Sequence, residues 1–148
     1  MPQRSMHSPI GDLTISTEDG ALVALDWGWA RDQSADDLLD RAKAQLEAYF
    51  DAKSETFDLP LSPAGTAFQQ RVWALMQDIS YGKTMSYGEM ADTLGSAARA
   101  VGMACGANPI PVIIPCHRVL AANGMGGYSG EGGVETKVAL LRLEGVLL

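Results

Sequence analysis

Residues 115–119, Pro115-Cys116-His117-Arg118-Val119, set a cysteine beside a histidine. A thiol attacks as its thiolate, and an ordinary pKa of about 8.5 leaves little of it ionised at neutral pH. An imidazole within reach can take the proton. A carboxylate on the far imidazole nitrogen would fix the tautomer and stabilise the imidazolium. Glu144, after the last helical stretch, is a candidate for that role. In an extended segment neighbouring side chains point to opposite sides, so Cys116 and His117 would need a turn or a bridging water to communicate. The dipeptide alone is also what a structural thiol beside a histidine looks like. Cys105 sits among small residues and reads as packing. His7 is remote in sequence and no ligand spacing is present, so no metal site is expected.

The elements that must position these residues are legible in outline. Leu13–Ser16 and Ala21–Trp27 flank Asp19-Gly20 and predict a β-hairpin. Ser34 as N-cap and apolar residues at helical spacing predict a helix over about 35–52. Residues 53–64 carry two prolines and read as a linker. Thr66-Ala67-Phe68-Gln69 and Ser86-Tyr87-Gly88-Glu89 have the form of capping boxes, each opening a helix. Gly95 ends the second, and Ser96 can cap a third over about 97–107, which Asn108-Pro109 terminates. Two short helices about a tight turn predict a helix-turn-helix. Val112–Ile114 reads as a buried extended run, 122–133 as a glycine-rich loop, and 134–143 as a helix packing through Val134, Val138 and Leu141.

Composition narrows the function. The 148 residues are 47% hydrophobic and 20% charged, enough apolar material for a core. No apolar run approaches a membrane span of roughly 20 residues, and Met1–Ser8 lacks the stretch of a signal peptide. Two cysteines make no disulfide framework, so reduced thiols in a cytoplasmic setting are expected. The net charge of −7 argues against a chain-wide grip on nucleic acid. It lies wholly in residues 1–64, with five cations against twelve acids; residues 65–148 hold six of each. Any DNA contact therefore falls to the second half, with a modest electrostatic share.

The third helix, from Ala97 to Ala107, is rich in small residues and carries one charge, Arg99. A major-groove reader would show several long polar side chains. Small residues suit close approach to a narrow groove, with one long cation able to enter the base stack. A core helix with a solvated arginine fits the same composition.

Arg99-Ala100-Val101-Gly102, Asn108-Pro109, Pro115-Cys116-His117-Arg118-Val119, Gly127-Tyr128-Ser129, Lys137, Leu140-Leu141 and Glu144-Gly145 together resemble the O6-alkylguanine-DNA alkyltransferases, or methylated-DNA–protein-cysteine methyltransferases. Gly65-Thr66, Phe68-Gln69, Val72-Trp73, Tyr81-Gly82 and Ser86-Tyr87 fit too. The likeness runs from about Ser8 to the C-terminus.

The resemblance implies a ribonuclease-H-like α/β domain over 1–64. It also implies a mainly α, winged-helix-like domain with the helix-turn-helix over 65–148. The implied activity is direct, irreversible transfer of a methyl or larger alkyl group from O6 of guanine, or O4 of thymine, to the protein's own cysteine. That is one turnover per molecule, without a cofactor, by a monomer on the minor-groove side of double-stranded DNA.

Carried onto matching positions, Cys116 is the acceptor, His117 its base through a water, Glu144 the orienting carboxylate and Asn108 a brace. Tyr87 turns a phosphate and serves N3 of the leaving guanine. Ser129 contacts O6, and the carbonyls of Cys116 and Val119 take the guanine amine. Tyr128 and Cys105 complete the pocket. Arg99 fills the gap in the stack, with Gln69 and Ser96 as phosphate contacts. Ser80 replaces a proline of many relatives, Gly124–Tyr128 is one residue shorter, and Tyr128–Lys137 about two longer. The two length changes bear on the size of alkyl group accepted.

Overall fold

A computed structural model of the chain describes residues 1–147. The chain divides into two compact units, Met1–Ala64 and Gly65–Leu148.

In the first unit, β1 (Gln3–Met6), β2 (Leu13–Glu18) and β3 (Ala21–Trp27) make an antiparallel sheet in chain order. Asp19 and Gly20 both take positive φ (50° and 80°), the conformation of a type I′ hairpin turn whose twist matches the strands. Strand β1 has no hairpin or alternation signal of its own and forms by pairing with β2. Helix α1 (Asp37–Phe50) packs on β1 and β2, burying Leu39, Ala42, Leu46 and Tyr49. Its N-cap is Asp36, whose carboxylate accepts from the Leu38 and Leu39 amides. Ser34, the expected cap, instead accepts from the Gln3 amide and ties β1 down. The expected linker lies along β3, with Leu22 bonded to Pro60 and Ser62.

The second unit is helical. Both capping boxes close: Thr66 with Gln69 opens α2 (Ala67–Gln77), and Ser86 with Glu89 opens α3 (Tyr87–Leu94). Gly95 ends α3 in the left-handed conformation, φ 65°. Helix α4 (Ala98–Gly106) follows within three residues and packs on α2 and α3. Its N-cap is Ala97, without a side-chain cap bond, so Ser96 does not serve there. The Trp73 indole N–H donates to the Ala104 carbonyl at 2.9 Å, fixing α4 on α2.

Two-residue strands β4 (Met85–Ser86) and β5 (Val119–Leu120) pair in parallel and bring the start of α3 beside the Cys-His segment. Helix α5 (Val134–Leu143) buries Thr136, Lys137, Leu140 and Leu141. The apolar stripe read from Val134, Val138 and Leu141 is thus rotated: Val134 is exposed, and the buried face runs through Lys137 towards Glu144. Among the described residues no helix is long and apolar enough to cross a membrane.

Candidate active site

The segment before Cys116 is a tight turn, not the expected extended run. Ile114 N–H donates to Ile110 O at 2.9 Å, and Val112 at its apex is buried with φ +73°. That backbone is strained for a β-branched residue and must be held by its surroundings. Asn108 holds it: its amide N–H donates to Ile114 O at 2.8 Å, and its side-chain oxygen accepts from the Ile110 amide at 3.0 Å.

Beyond Pro115, residues Cys116–Arg118 form one 3-10 turn. Successive side chains then diverge by about 120° rather than opposing one another, so Cys116 and His117 need not face apart. Both are buried.

His117 Nε2 lies 2.6 Å from Glu144 Oε2. The carboxylate can only accept, so Nε2–H donates to it, which leaves Nδ1 with its lone pair. Nδ1 is buried and has no hydrogen-bond partner among the described residues. Burial pushes the His117 pKa down, and the contact with Glu144 pulls it back up. Glu144 is held in turn by a fork: Arg118 Nε donates to Oε1 at 2.8 Å and Nη2 to Oε2 at 3.0 Å. Arg118 Nη1 donates to Ile79 O at 2.7 Å, and its guanidinium carbon lies 5.9 Å from the Tyr81 ring centre. The Tyr81 hydroxyl donates to Leu143 O, next to Glu144.

Cys116 lines a cavity of about 470 Å³ with Tyr87, Gly102, Cys105, Gly106, Gly127, Tyr128 and Ser129. Burial raises its pKa; the Asn108 side chain, the Lys137 charge and nearby backbone N–H groups oppose the rise. Cys105 has no such hydrogen-bond assistance: burial and the nearby Cys116 push it to about 12, with only Lys137 pulling down. Tyr87 is likewise raised to about 12, chiefly by burial.

Lys137 is fully buried. Its ammonium donates to Val119 O at 2.6 Å and Gly127 O at 3.0 Å, and lies 5.7 Å from the Tyr87 ring centre. It therefore clips the wall loop to β5 and brings positive charge to the two thiols. Gly126 makes this loop possible. It has φ +73°, and a Cβ there would stand 2.9 Å from the Tyr87 ring.

The structure thus gathers Cys116, Tyr87, Cys105, Tyr128 and Ser129 around one cavity, with His117, Glu144 and Asn108 behind it. Val119 does not line the cavity, and its carbonyl already accepts from Lys137. Arg99, Ser96 and Gln69 stand outside it; Gln69 uses its side-chain oxygen as the α2 cap. The roles of Arg118 and Lys137 emerge only from the fold. A lysine in the 137/140/141/144 stripe, facing the buried side of α5, was the available signal. Among the described residues no group of three or more His, Cys, Asp or Glu could hold a metal.

Residues 67–146 match the family model for the DNA binding domain of 6-O-methylguanine DNA methyltransferase, and residues 1–63 match its ribonuclease-like domain. The chain belongs to the 6-O-methylguanine DNA methyltransferase family. Its relatives within that family include the methylated-DNA–protein-cysteine methyltransferases of Mycobacterium tuberculosis and Methanosarcina acetivorans. The first is 45% identical, with 95% of this chain and 90% of the relative covered. The second is 39% identical, with 94% and 95% covered. The crystal structure of Mycobacterium tuberculosis OGT in complex with DNA superposes with a TM-score of 0.87 at 45% identity, covering 97% of this chain and 92% of the other. The family's ribonuclease-like and DNA-binding domains thus correspond to the sheet-bearing and helical units.

Proposed function

We propose that this chain repairs alkylated DNA by moving the alkyl group from O6 of guanine onto Cys116 in a single irreversible step. The observation that carries the reading is the Cys116–His117–Glu144 arrangement behind a cavity lined by Tyr87, Tyr128 and Ser129.

An O6-alkyl group inside the duplex is out of reach of a buried thiol, so the nucleotide swings out of the stack into the cavity. Unstacking costs a few kcal/mol, less for a base that pairs badly. Helices α3 and α4 act as a helix-turn-helix on the minor-groove side, and Arg99 at the start of α4 occupies the vacated position. Ser96 and Gln69 meet flanking phosphates.

In the cavity, the Cys116 proton passes through a solvent molecule to His117 Nδ1, and Glu144 stabilises the imidazolium. The thiolate attacks the alkyl carbon; the S–C bond forms and the C–O6 bond breaks. Guanine leaves with the bonding pair and is stabilised by a hydrogen bond from Tyr87 to N3. Ser129 contacts O6. The Cys116 carbonyl receives the guanine amine. The thioether has no route back to a thiolate, so each monomer acts once.

Incubation with a duplex carrying O6-methylguanine, followed by mass spectrometry, tests this. One methyl group per chain, on the Cys116 peptide, is expected. Multiple turnovers with Cys116 unmodified would point to a hydrolase, and lesion binding without any mass change to a recognition module.

A further inference from the structure

On α4, Met103 is 72% exposed, although it belongs to a unit whose other large apolar side chains are mostly packed. It lies one helical turn from Arg99, on the same face and about 6 Å further along the axis. Gly102 and Gly106 flank it, and a Cβ at either would meet nothing within 4 Å. Both glycines also line the cavity that holds Cys116, so Met103 stands beside its rim. The face bearing the cavity mouth therefore presents one cation and one free-standing thioether, with open space around each glycine.

Charge gives that thioether a purpose. Of the six cations in residues 65–148, Arg118 and Lys137 are buried and bonded internally. Glu144 is buried with them, which leaves Arg71, Lys83, Arg99 and Arg142 exposed against five exposed acids. Phosphate neutralisation alone is a weak source of affinity here. Apolar side chains in a minor groove add affinity without counterion release.

We infer that Met103 is a second DNA-contacting arm, lying against the sugar walls of the minor groove about two base-pair steps from the position that Arg99 fills, at 3.4 Å per step. The inference rests on the repair reading above. Met, unbranched and polarisable, suits an irregular and deformable surface.

The test is equilibrium binding to a duplex carrying O6-methylguanine, in a Cys116→Ala background so that no transfer intervenes, over a range of salt. Met103→Ala and Met103→Gln should each weaken binding, Ala by about fivefold to tenfold, as for a buried interface side chain. The slope of log affinity against log salt should stay as it was, because no phosphate contact is lost. Binding within about twofold for either variant overturns the inference, since interface anchors cost more than that; so does a changed salt slope. Methyl transfer by the chain with Cys116 intact is measured in parallel. If it proceeds while the Met103 changes are silent, this inference alone fails. If it does not proceed, the repair reading fails first.

Discussion

Arg118 grips Glu144 with two nitrogens, 2.8 Å and 3.0 Å from the carboxylate oxygens, one of which also meets His117. Two adjacent residues of one 3-10 turn thus converge on a single carboxylate at the end of α5. Removing one partner of a buried ion pair leaves an uncompensated charge, at a cost of about 3–5 kcal/mol. Arg118→Met should lower the urea midpoint accordingly. Arg118→Lys keeps the charge but not the planar fork. It should fold better than the Met variant yet transfer alkyl groups more slowly than the parent. A Lys variant equal to the parent in rate would show that only charge matters here.

Glu144→Gln keeps the shape and removes the charge, and it should also lower the urea midpoint, because Arg118 loses its counter-ion and one of its acceptors. A glutamine oxygen can still accept from His117 Nε2, so the tautomer can survive. The imidazolium formed during transfer would lose its counter-charge. Positioned acid–base groups contribute about 100- to 10,000-fold, and the single-turnover rate should fall within that range. Lesion binding should persist in a gel-shift assay. An unaltered rate would remove Glu144 from the mechanism.

What the sequence revealed was what local chemistry dictates. The two capping boxes, the Gly95 stop and the Asp19-Gly20 hairpin depend on neighbours in the chain, and each formed as read. The failures were non-local. Val112–Ile114 has strand composition, yet Asn108 bonds at both Ile110 and Ile114 and bends it into a turn. Ser34 had cap chemistry, but β1 claimed its hydroxyl. Cys116 and His117 were legible as a pair because their types are rare and adjacent. Arg118 and Lys137 were not: a cation reads as solvent-facing until the carbonyls and carboxylate that surround it are known.

Alkaline stability should fall in a defined window. Burial raises the Cys105 thiol from its ordinary value to about 12 and raises Cys116 as well. The folded state therefore holds these protons more tightly than the unfolded chain. The stability this confers is complete below the unfolded thiol value and is lost as pH climbs from about 9 towards 12. Denaturant midpoints measured between neutral and alkaline pH should decline there. Cys105→Ala should flatten the decline, and an equally steep profile would assign it to Cys116 and Tyr87 instead.

Lys137→Met keeps much of the buried volume while cutting both tethers, to Val119 and Gly127. It also removes a positive charge that favours the thiolate of Cys116. Reaction with free O6-benzylguanine should slow, and limited proteolysis within residues 122–133 should speed up. Faster cleavage with an unchanged rate would reduce Lys137 to a loop clip.

Arg99 lies outside the cavity, at the start of α4. If it occupies the vacated position in the stack, its value is realised only when a base leaves a duplex. A free base needs no unstacking. Arg99→Ala should therefore slow repair of duplex O6-methylguanine more than reaction with free O6-benzylguanine. Unstacking is worth a few kcal/mol, and a side chain recovering about 1.4 kcal/mol of it would give a tenfold difference between the two losses. The ratio of rates, parent over variant, on each substrate is the measurement. Equal ratios would mean that Arg99 acts on the chemistry or the fold, and the stack would have to be filled by another group.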